Sequence, residues 1–269
     1  ILRGSEPDGQ LLGIDADPEA VSLARQRLSP FGDRVTLATA NFRDLSEVAV
    51  EFGFESVDGI LLDLGISSRQ LESAPRGFSF NRDGPLDMRL DTDQSRTAAD
   101  LVNSLPEADL AEILWRFGEE RQSRRISRAI VRARPLSTTS QLADVVARAA
   151  GHRKRIHPAT RTFQALRIAV NDELESLARV LPQARDLLSP EGRLAVIAFH
   201  SLEDRIVKRF FQRETRDCTC PPEIPICVCE HRATLRAITR KAMQPSEQEI
   251  AHNPRSRSAR LRIVERLYN

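Results

Sequence analysis

The chain has 269 residues, 41% of them hydrophobic and 29% charged, so it is long enough to bury a sizeable core. This composition excludes a disordered tail and a fibrous protein. No segment approaches the roughly 18 consecutive apolar residues of a membrane span, and the N-terminus, with Arg3, Glu6 and Asp8, lacks a signal-peptide pattern. We therefore expect a soluble, cytoplasmic protein with no membrane partner.

The small net charge of +2 conceals two basic segments. Residues 116–167 hold 13 Arg or Lys against 3 Asp or Glu, and residues 232–269 hold 9 against 3. Segregated positive charge is typical of a surface that faces a polyanion such as nucleic acid. An ordinary solvated surface is the alternative, because only three of the 40 basic residues are lysines and arginine enrichment also follows from genome composition.

Strand and helix patterns alternate from the start of the chain. Strands are predicted at residues 10–14, 35–38 and 57–64. Asp17 and Pro18 have the residue types of an N-cap and a first helical position, so a helix is predicted between the first two strands. The third strand reads VDGILLDL, and such an almost unbroken apolar run is typical of a buried strand in a parallel sheet.

A long helical region follows. Residues 92–160 are helical in pattern throughout, with separate helices predicted at 106–117, 119–134 and 139–150. Apolar residues at three- and four-residue steps then predict one long amphipathic helix over 161–181.

The α/β alternation returns after this region. Residues 189–192 predict a turn, residues 193–199 a buried strand, and Ser201 the start of a helix. The alternating segments 235–240 and 260–266 predict an antiparallel pair at the sheet edge.

These elements predict an α/β fold with a doubly wound sheet and a helical insertion. Residues 1–91 and 161–269 are expected to form the two parts of the core, and residues 92–160 the insertion.

The four cysteines lie in one C-x-C-x6-C-x-C cluster: Cys218, Cys220, Cys227 and Cys229. Four thiols this close together in a cytoplasmic protein favour a tetrahedral Zn2+ site over disulfides. The C-x-C spacing is tighter than the roughly two to four intervening residues usual in zinc sites. Reduced thiols in a loop stiffened by Pro221, Pro222 and Pro225 are therefore the alternative.

Ligands of open α/β sheets collect at the carboxyl ends of the strands. Asp15 ends the first predicted strand, where a carboxylate can accept both hydroxyls of a ribose; Asp44 follows the second strand and Asp63 nearly ends the third. Phe42 lies where the second strand ends, placed either to stack on a purine or to close the core. A single acid after a strand is more often a helix cap, as Asp17 is.

Several stretches carry a family resemblance. LLGIDADPEAV at 11–21, LLDLGISS at 61–68 and SPEGRLAVIAF at 189–199 resemble class I S-adenosylmethionine-dependent methyltransferases. More specific stretches resemble the bacterial 16S rRNA cytosine-N4 methyltransferase family of the MraW or RsmH type, over nearly the whole chain. They are RGFSFNRDGPLDMR at 76–89, HPATRTFQALRI at 157–168, FHSLEDRIVK at 199–208 and NPRSRSA at 253–259.

The resemblance implies a Rossmann-like class I methyltransferase fold. It also implies methyl transfer from S-adenosylmethionine to the exocyclic N4 of a cytidine in 16S rRNA, with that RNA or the small ribosomal subunit as partner. By the family's motifs, the residues that bind the cofactor would be Asp15, Phe42, Asp63 and Gln70.

The start of the chain departs from the family pattern. Family members begin with a strand and a glycine-rich loop that binds the methionine part of the cofactor, and this sequence opens after that loop. We therefore expect an N-terminally truncated chain in which Ile1–Arg3 is the tail of the following helix and the cofactor pocket lacks one wall.

Methylation of an amine needs a proton acceptor beside the nitrogen. Many amino-methyltransferases use an Asp or Asn followed by two prolines and an aromatic residue, and Asp63 followed by Leu-Gly lacks this device. His200 and Asp87 are the candidate catalytic residues, with Ser201 and Asp83 beside them as further candidates. The alternative for His200 is a hydrogen-bonded structural residue, which a histidine at a strand end more often is.

RNA contacts are expected from residues 253–260 and from a stripe of arginines at helical spacing: Arg124, Arg125, Arg128 and Arg132. Phe78 and Phe80 either stack on an extruded base or pack inward from one side of a strand. Two alternatives to an RNA methyltransferase stay open. One is a non-catalytic RNA-binding or ribosome-assembly factor, and the other is a nicotinamide-dependent oxidoreductase, since Asp15 after a strand also matches a dinucleotide site.

Overall fold

The computed structural model describes residues 1–151, 157–221, 223 and 226–268. They form two compact units. The first unit combines Ile1–Gly65 with Leu174–Asn269, and the second consists of Ile66–Glu173. The second unit is therefore wider at both ends than the insertion predicted at 92–160.

The elements of regular structure are the following. The α-helices are α1 (Pro18–Leu28), α2 (Leu45–Glu51), α3 (Ser68–Glu72), α4 (Ala98–Ser104), α5 (Glu107–Gly118), α6 (Ser123–Arg132), α7 (Thr139–Ala150), α8 (Thr160–Asn171), α9 (Glu173–Leu187), α10 (Ser201–Glu214) and α11 (Glu247–His252). The strands are β1 (Leu11–Asp15), β2 (Val35–Thr39), β3 (Val57–Asp63), β4 (Leu188–Ala198), β5 (Leu235–Ala237) and β6 (Arg260–Arg266). Within the described ranges, no helix combines the length and apolar character that crossing a bilayer requires.

Residues 1–8 form hydrogen-bonded turns, where the tail of a helix was expected for Ile1–Arg3. Pro7 and the glycines around it disfavour a continuous helix here. The guanidinium of Arg34 fixes these turns, because it donates to the carbonyl oxygens of Leu2 at 2.7 Å and Gly9 at 2.8 Å.

Local sequence explains the first strand, helix and strand. The Asp17 carboxylate accepts the backbone N–H of Glu19 at 3.0 Å, and Pro18 occupies the first helical position, as predicted. β1 and β2 pair in parallel, with Asp15 opposite Thr39. The two strands therefore end side by side at their carboxyl ends.

The hydrogen-bonded ladders form a β1–β2 pair and a four-stranded sheet in the order β3-β4-β6-β5. One continuous sheet was expected, but no ladder joins the pair to the larger sheet within the described ranges. β3 and β4 are parallel, whereas β6 is antiparallel to both β4 and β5, which confirms the predicted antiparallel edge. The turn predicted at 189–192 is a bulge inside β4, where the pairing slips between Leu188 and Arg193.

The core of the first unit lies where α9 and α10 meet the four-stranded sheet. Its buried residues include Leu177, Val180 and Leu181 of α9, Leu194 and Val196 of β4, Val207 and Phe211 of α10, and Val264 of β6. Ile14 of β1 and Phe42 pack against the same cluster from its edge.

The second unit has a separate core built from α4 to α8. Residues of the preceding loop join this core: Phe78, Leu86 and Met88 are at most 5% exposed. Burial of these side chains is the physical reason why the unit begins before residue 92.

The long helix predicted over 161–181 is two helices, α8 and α9. Asp172 separates them with a φ of 48°, a left-handed conformation that Asp tolerates better than most side chains. The Asn171 side chain donates to the carbonyl oxygen of Met88 at 2.7 Å and accepts the N–H of Leu90 at 2.7 Å, which fixes the end of α8. The apolar spacing continues across this break, and for that reason the pattern predicted a single helix.

Candidate active site and cysteine cluster

Asp15 is exposed at the carboxyl end of β1. Its Oδ1 accepts the backbone N–H of Asp17 at 2.8 Å, and its carbonyl oxygen accepts the N–H of Ala40 at 3.1 Å. These bonds hold the carboxylate between the start of α1 and the segment that follows β2. A carboxylate in this position can accept hydrogen bonds from the two hydroxyls of a ribose.

Phe42 lies in the same region, three residues after β2. Asn41 caps the short 3-10 turn that contains it by accepting the N–H of Arg43 at 3.0 Å. The ring is half-buried and packs against the core of the first unit, so it closes the core edge while part of it reaches solvent. Asp44, the next predicted acid, lies 3.5 Å from the guanidinium groups of both Arg43 and Arg179, in surface ion pairs.

Asp63 is the last residue of β3 and lies opposite Ile197 of β4. Although its side chain reaches solvent, burial by the surrounding protein and the negative charge of Glu203 raise the pKa of Asp63. Glu203 is buried and accepts the backbone N–H groups of Phe199 at 2.8 Å and His200 at 3.2 Å. The carboxyl ends of β3 and β4 therefore present an acidic edge, which favours a cationic ligand.

His200 is the N-cap of α10. Its Nδ1 accepts the N–H of Glu203 at 3.4 Å, and Glu203 accepts the His200 N–H in return, which completes a capping box. The structural interpretation of His200 thus has direct support. Because Nδ1 accepts a hydrogen bond, the neutral ring carries its proton on Nε2, which is buried 3.2 Å from Oε1 of Glu203. Nδ1 is therefore the ring nitrogen that a proton-accepting role would use, and taking a proton would end its capping bond.

Gln70 lies in the second unit, in the first turn of α3. Its Oε1 accepts the backbone N–H of Ser67 at 2.9 Å, and its own N–H donates to the Ser67 hydroxyl at 3.2 Å. This capping box holds a buried side chain in one orientation. The contact predicted between Gln70 and the cofactor stays a prediction. The same side chain has a structural role in the cap of α3.

Asp87 is held by Arg89. Its Oδ1 accepts the Arg89 N–H at 3.0 Å and Nε at 2.8 Å, and its Oδ2 accepts a guanidinium nitrogen at 2.8 Å. Burial raises the pKa of Asp87, but the hydrogen bonds and charge of Arg89 more than offset this and hold it below its usual range. A carboxylate held in this way accepts a proton poorly at neutral pH, so the catalytic role predicted for Asp87 gains no support from the geometry.

Asp83 has a similar structural environment at the start of α7. It accepts the N–H of Ser140 at 3.1 Å, and hydrogen bonds from Ser140 and Thr138 lower the pKa of Asp83 to about 2. These hydrogen bonds fix the loop that carries Asp83 to the start of α7.

The two phenylalanines of this loop differ. Phe78 is buried in the core of the second unit, so stacking on a base, one of the two alternatives for it, is wrong. Phe80 is half-buried and stacks on His157, with ring centroids 4.4 Å apart and planes 28° apart. Both lie in a loop, where the inward-packing alternative expected a strand.

The predicted arginine stripe lies on one face of α6. Ile126 and Ile130 of this helix are buried in the core of the second unit. The arginines are exposed on the other side: Arg124, Arg125, Arg128 and Arg132. Arg128 Nε lies 3.3 Å from a carboxylate oxygen of Glu107. In the other predicted RNA-binding stretch, 253–260, Arg260 pairs with Asp204 at 3.0 Å, so part of that stretch has a structural role.

All four cysteines lie between α10 and β5 as free thiols. Each offers a sulfur within 4.8 Å of the other three: Cys218, Cys220, Cys227 and Cys229. Pro222 and Pro225 of the predicted stiffened loop lie outside the described residues. The sulfurs are close enough together to share one metal ion.

Glu203 is the site residue that sequence reasoning missed. It binds the N-terminal end of α10 and raises the pKa of Asp63. The signal that could have found it is its position three residues after His200, which is the spacing of a capping box.

Comparisons with known proteins identify the family. The MraW methylase family model matches residues 1–267. A relative from Syntrophobacter fumaroxidans is 57% identical over 272 residues, which cover 99% of this chain and 85% of the relative. One from Thermomicrobium roseum is 56% identical, covering 99% and 83%, and one from Dehalococcoides mccartyi is 53% identical, covering 99% and 77%.

All three relatives bear the name ribosomal RNA small subunit methyltransferase H. The mixed parallel and antiparallel sheet and the order of elements are consistent with the class I methyltransferase fold expected from the resemblance. A match across nearly the whole chain, together with relatives above half identity, leads to one conclusion: this chain belongs to the MraW methylase family.

Proposed function

We propose that the chain transfers a methyl group from S-adenosylmethionine to the exocyclic N4 of a cytidine in 16S rRNA. The family match and the names of the relatives support the enzyme class and the RNA. The structural observation that carries the proposal is one shared hydrophobic cluster, which contains Phe42 and the chain neighbours of Asp15 and Asp63. Ile14, next to Asp15, and the Phe42 ring both pack against the cluster that contains Leu62 and Leu64, the neighbours of Asp63.

Each cofactor residue has a distinct role in this proposal. Asp15 accepts the ribose hydroxyls, and the accessible part of the Phe42 ring stacks on the adenine. Asp63 and the buried Glu203 behind it provide the negative charge that favours a sulfonium group.

S-adenosylmethionine, when bound, supplies a methyl carbon on a positively charged sulfur, and transfer forms the N4–C bond while the C–S bond breaks. The protein must hold the attacking nitrogen and this carbon about 3 Å apart and in line. It must also accept the proton that N4 releases. Of the two predicted acceptors, His200 Nδ1 makes one long hydrogen bond of 3.4 Å that a proton could replace, whereas the Asp87 carboxylate is held by three bonds from Arg89. We therefore assign proton acceptance to His200.

The exposed arginines of α6 are proposed to contact RNA phosphates. Their stems lie on a helix whose opposite face is packed in the core, so the positive charges are displayed from a fixed surface. Such contacts position an RNA without reading its sequence.

The experiment is a methylation assay of the full-length protein with small ribosomal subunits from a strain that lacks this modification and isotopically labelled S-adenosylmethionine. The rRNA is digested to nucleosides and analysed by mass spectrometry. The expected product is labelled N4-methylcytidine. Label on another nucleoside, or on a ring carbon of cytosine, would contradict the assigned chemistry. RNA binding without any transfer would support the non-catalytic alternative.

A further inference from the structure

The loop between α10 and β5 has a fixed base and a tip with little apolar packing. At the base, the N–H of Thr234 donates to the carbonyl oxygen of Glu214 at 2.9 Å. Nearer the tip, Ile226 and Val228 are 75% and 70% exposed. The described residues of this loop contribute nothing to either hydrophobic core. Hydrophobic burial therefore does not hold the described residues of the tip in place.

Four sulfur atoms gather at this tip. Sγ of Cys227 lies 3.6 Å from Sγ of Cys229, which lies 3.9 Å from Sγ of Cys218. In a tetrahedral Zn2+ site with Zn–S bonds of about 2.3 Å, neighbouring sulfurs are about 3.8 Å apart. The measured separations match this value and are far longer than the roughly 2.05 Å of a disulfide bond. They fit one metal site with four sulfur ligands.

Backbone N–H groups point at these sulfurs. The N–H of Thr219 donates to Cys229 at 3.3 Å, and the N–H of Val228 donates to Cys220 at 3.4 Å. A third bond joins the Cys220 N–H to Cys218 at 3.4 Å. The first two bonds cross between the two C-x-C segments, so the backbone of each segment supports a sulfur of the other. Such donors orient metal ligands and stabilise thiolates.

We propose that Cys218, Cys220, Cys227 and Cys229 bind one structural Zn2+ ion that closes the loop between α10 and β5. Four sulfur ligands fill a tetrahedral ion and leave no position for a substrate, so the ion has no part in methyl transfer. Its binding supplies the free energy that orders a loop whose described residues lie outside both hydrophobic cores. The crossed N–H bonds explain how the tight C-x-C spacing is accommodated.

The test begins with the full-length protein purified under reducing conditions. Elemental analysis is expected to find one zinc per chain. After removal of zinc with a chelator, titration with Co2+ is expected to give the visible absorption bands of a tetrahedral thiolate complex at one equivalent. The variant Cys220→Ser is expected to bind Co2+ at least 10-fold more weakly.

Val228→Ser is the matched control, because it changes a residue between two cysteines but keeps all four sulfurs and the backbone N–H. It should bind Co2+ as the unaltered protein does. Chelator treatment and Cys220→Ser should speed proteolysis within the loop, and Val228→Ser should not. The proposal is overturned if the reduced, unaltered protein contains no zinc and gives no thiolate spectrum with Co2+, or if mass spectrometry of that protein finds two disulfides. The metal analysis and the disulfide analysis both use the unaltered protein, so they test the proposal even if Cys220→Ser fails to fold.

Discussion

Asp204 in the first turn of α10 binds Arg262 of β6 through both of its oxygens. Nε of Arg262 donates to Oδ1 at 2.7 Å and a terminal guanidinium nitrogen donates to Oδ2 at 3.2 Å. The side chains are only 9% and 13% exposed, so solvent screens the pair little. Arg260 adds a third bond to Oδ2 at 3.0 Å from a more exposed position. This carboxylate therefore fastens a helix to the last strand of the sheet.

Asp204→Asn should destabilise the first unit by about 2–4 kcal/mol, because Arg262 is left buried without its charge partner. Burial raises the pKa of Asp204, but the hydrogen bonds and charge of Arg262 and Arg260 outweigh this and lower it. The stabilisation is therefore complete above the ordinary pKa of about 3.9 and is lost as pH falls through the lowered value. Urea unfolding at pH 7 and at pH 3 measures both effects. Arg260→Gln, at the exposed partner, should cost less than about 1 kcal/mol.

Asp63→Asn should weaken the binding of S-adenosylmethionine without lowering the stability of the fold. Because burial and Glu203 raise the pKa of Asp63, the fold favours its protonated form. That contribution is complete below the ordinary pKa of about 3.9 and is lost as pH rises through the raised value. At pH 7 the variant should therefore have a Tm no lower than the unaltered protein, while its affinity for S-adenosylmethionine falls at least 10-fold. A lower Tm with unchanged affinity by calorimetry would assign Asp63 a purely structural role.

His200→Asn and His200→Ala distinguish capping from proton transfer. Asn is a good N-cap, so His200→Asn should keep the stability of α10, whereas His200→Ala should lose about 1 kcal/mol. If His200 accepts the proton from N4, both variants should lose about 100-fold or more in methyl-transfer rate. Full activity of His200→Asn would leave His200 with the capping role alone.

Asp15→Ala and Asp17→Ala remove carboxylates two residues apart with opposite expected results. Asp17 is buried and caps α1, so its loss should cost about 1 kcal/mol of stability. Asp15 is exposed and accepts the N–H of Asp17, so its loss should reduce the affinity for S-adenosylmethionine at least 10-fold and lower the Tm less than the loss of Asp17 does. Calorimetric titration and thermal unfolding of the pair check this. Equal loss of affinity in both variants would contradict a ribose contact specific to Asp15.

Arg124→Ala/Arg125→Ala should weaken binding to 16S rRNA and reduce its salt dependence. Each phosphate contact contributes about 0.7–0.9 to the slope of log affinity against log salt, so the slope should fall by about 1 to 2. Arg25→Ala/Arg27→Ala removes two exposed arginines of α1 and is the matched control. Filter binding over a range of salt concentrations gives the slopes. Equal slopes for the two double variants would place the phosphate contacts elsewhere.

The sequence predicts local features of this fold well because their causes lie within a few residues. Asp17 and Pro18 begin α1 as predicted, and α7 spans Thr139–Ala150, the bounds predicted for it. The amphipathic pattern of α6 also places its arginines correctly on the exposed face. In each case a short-range rule of capping or periodicity decides the structure.

Long-range relationships could not be predicted in this way. Asp204 and Arg262 are 58 residues apart, and no local pattern pairs them. The influence of Glu203 on Asp63 depends on β3 and β4 being adjacent, which only the sheet order supplies. The spacing of apolar residues does not predict the break between α8 and α9, because this spacing continues across Asp172, where the chain turns. Whether the predicted cofactor residues bind S-adenosylmethionine is a question for the variants above.

The order of strands in the larger sheet has a consequence for how the chain assembles. β5 precedes β6 in sequence, but in the described ranges its only ladder is with β6, which itself pairs with β4. β5 therefore has no neighbouring strand to pair with until β6 has joined the sheet. Until then, the loop that carries the cysteines is not anchored to the sheet at its β5 end. Anchoring of the cysteine loop at its β5 end therefore depends on a strand that lies more than twenty residues further along the chain.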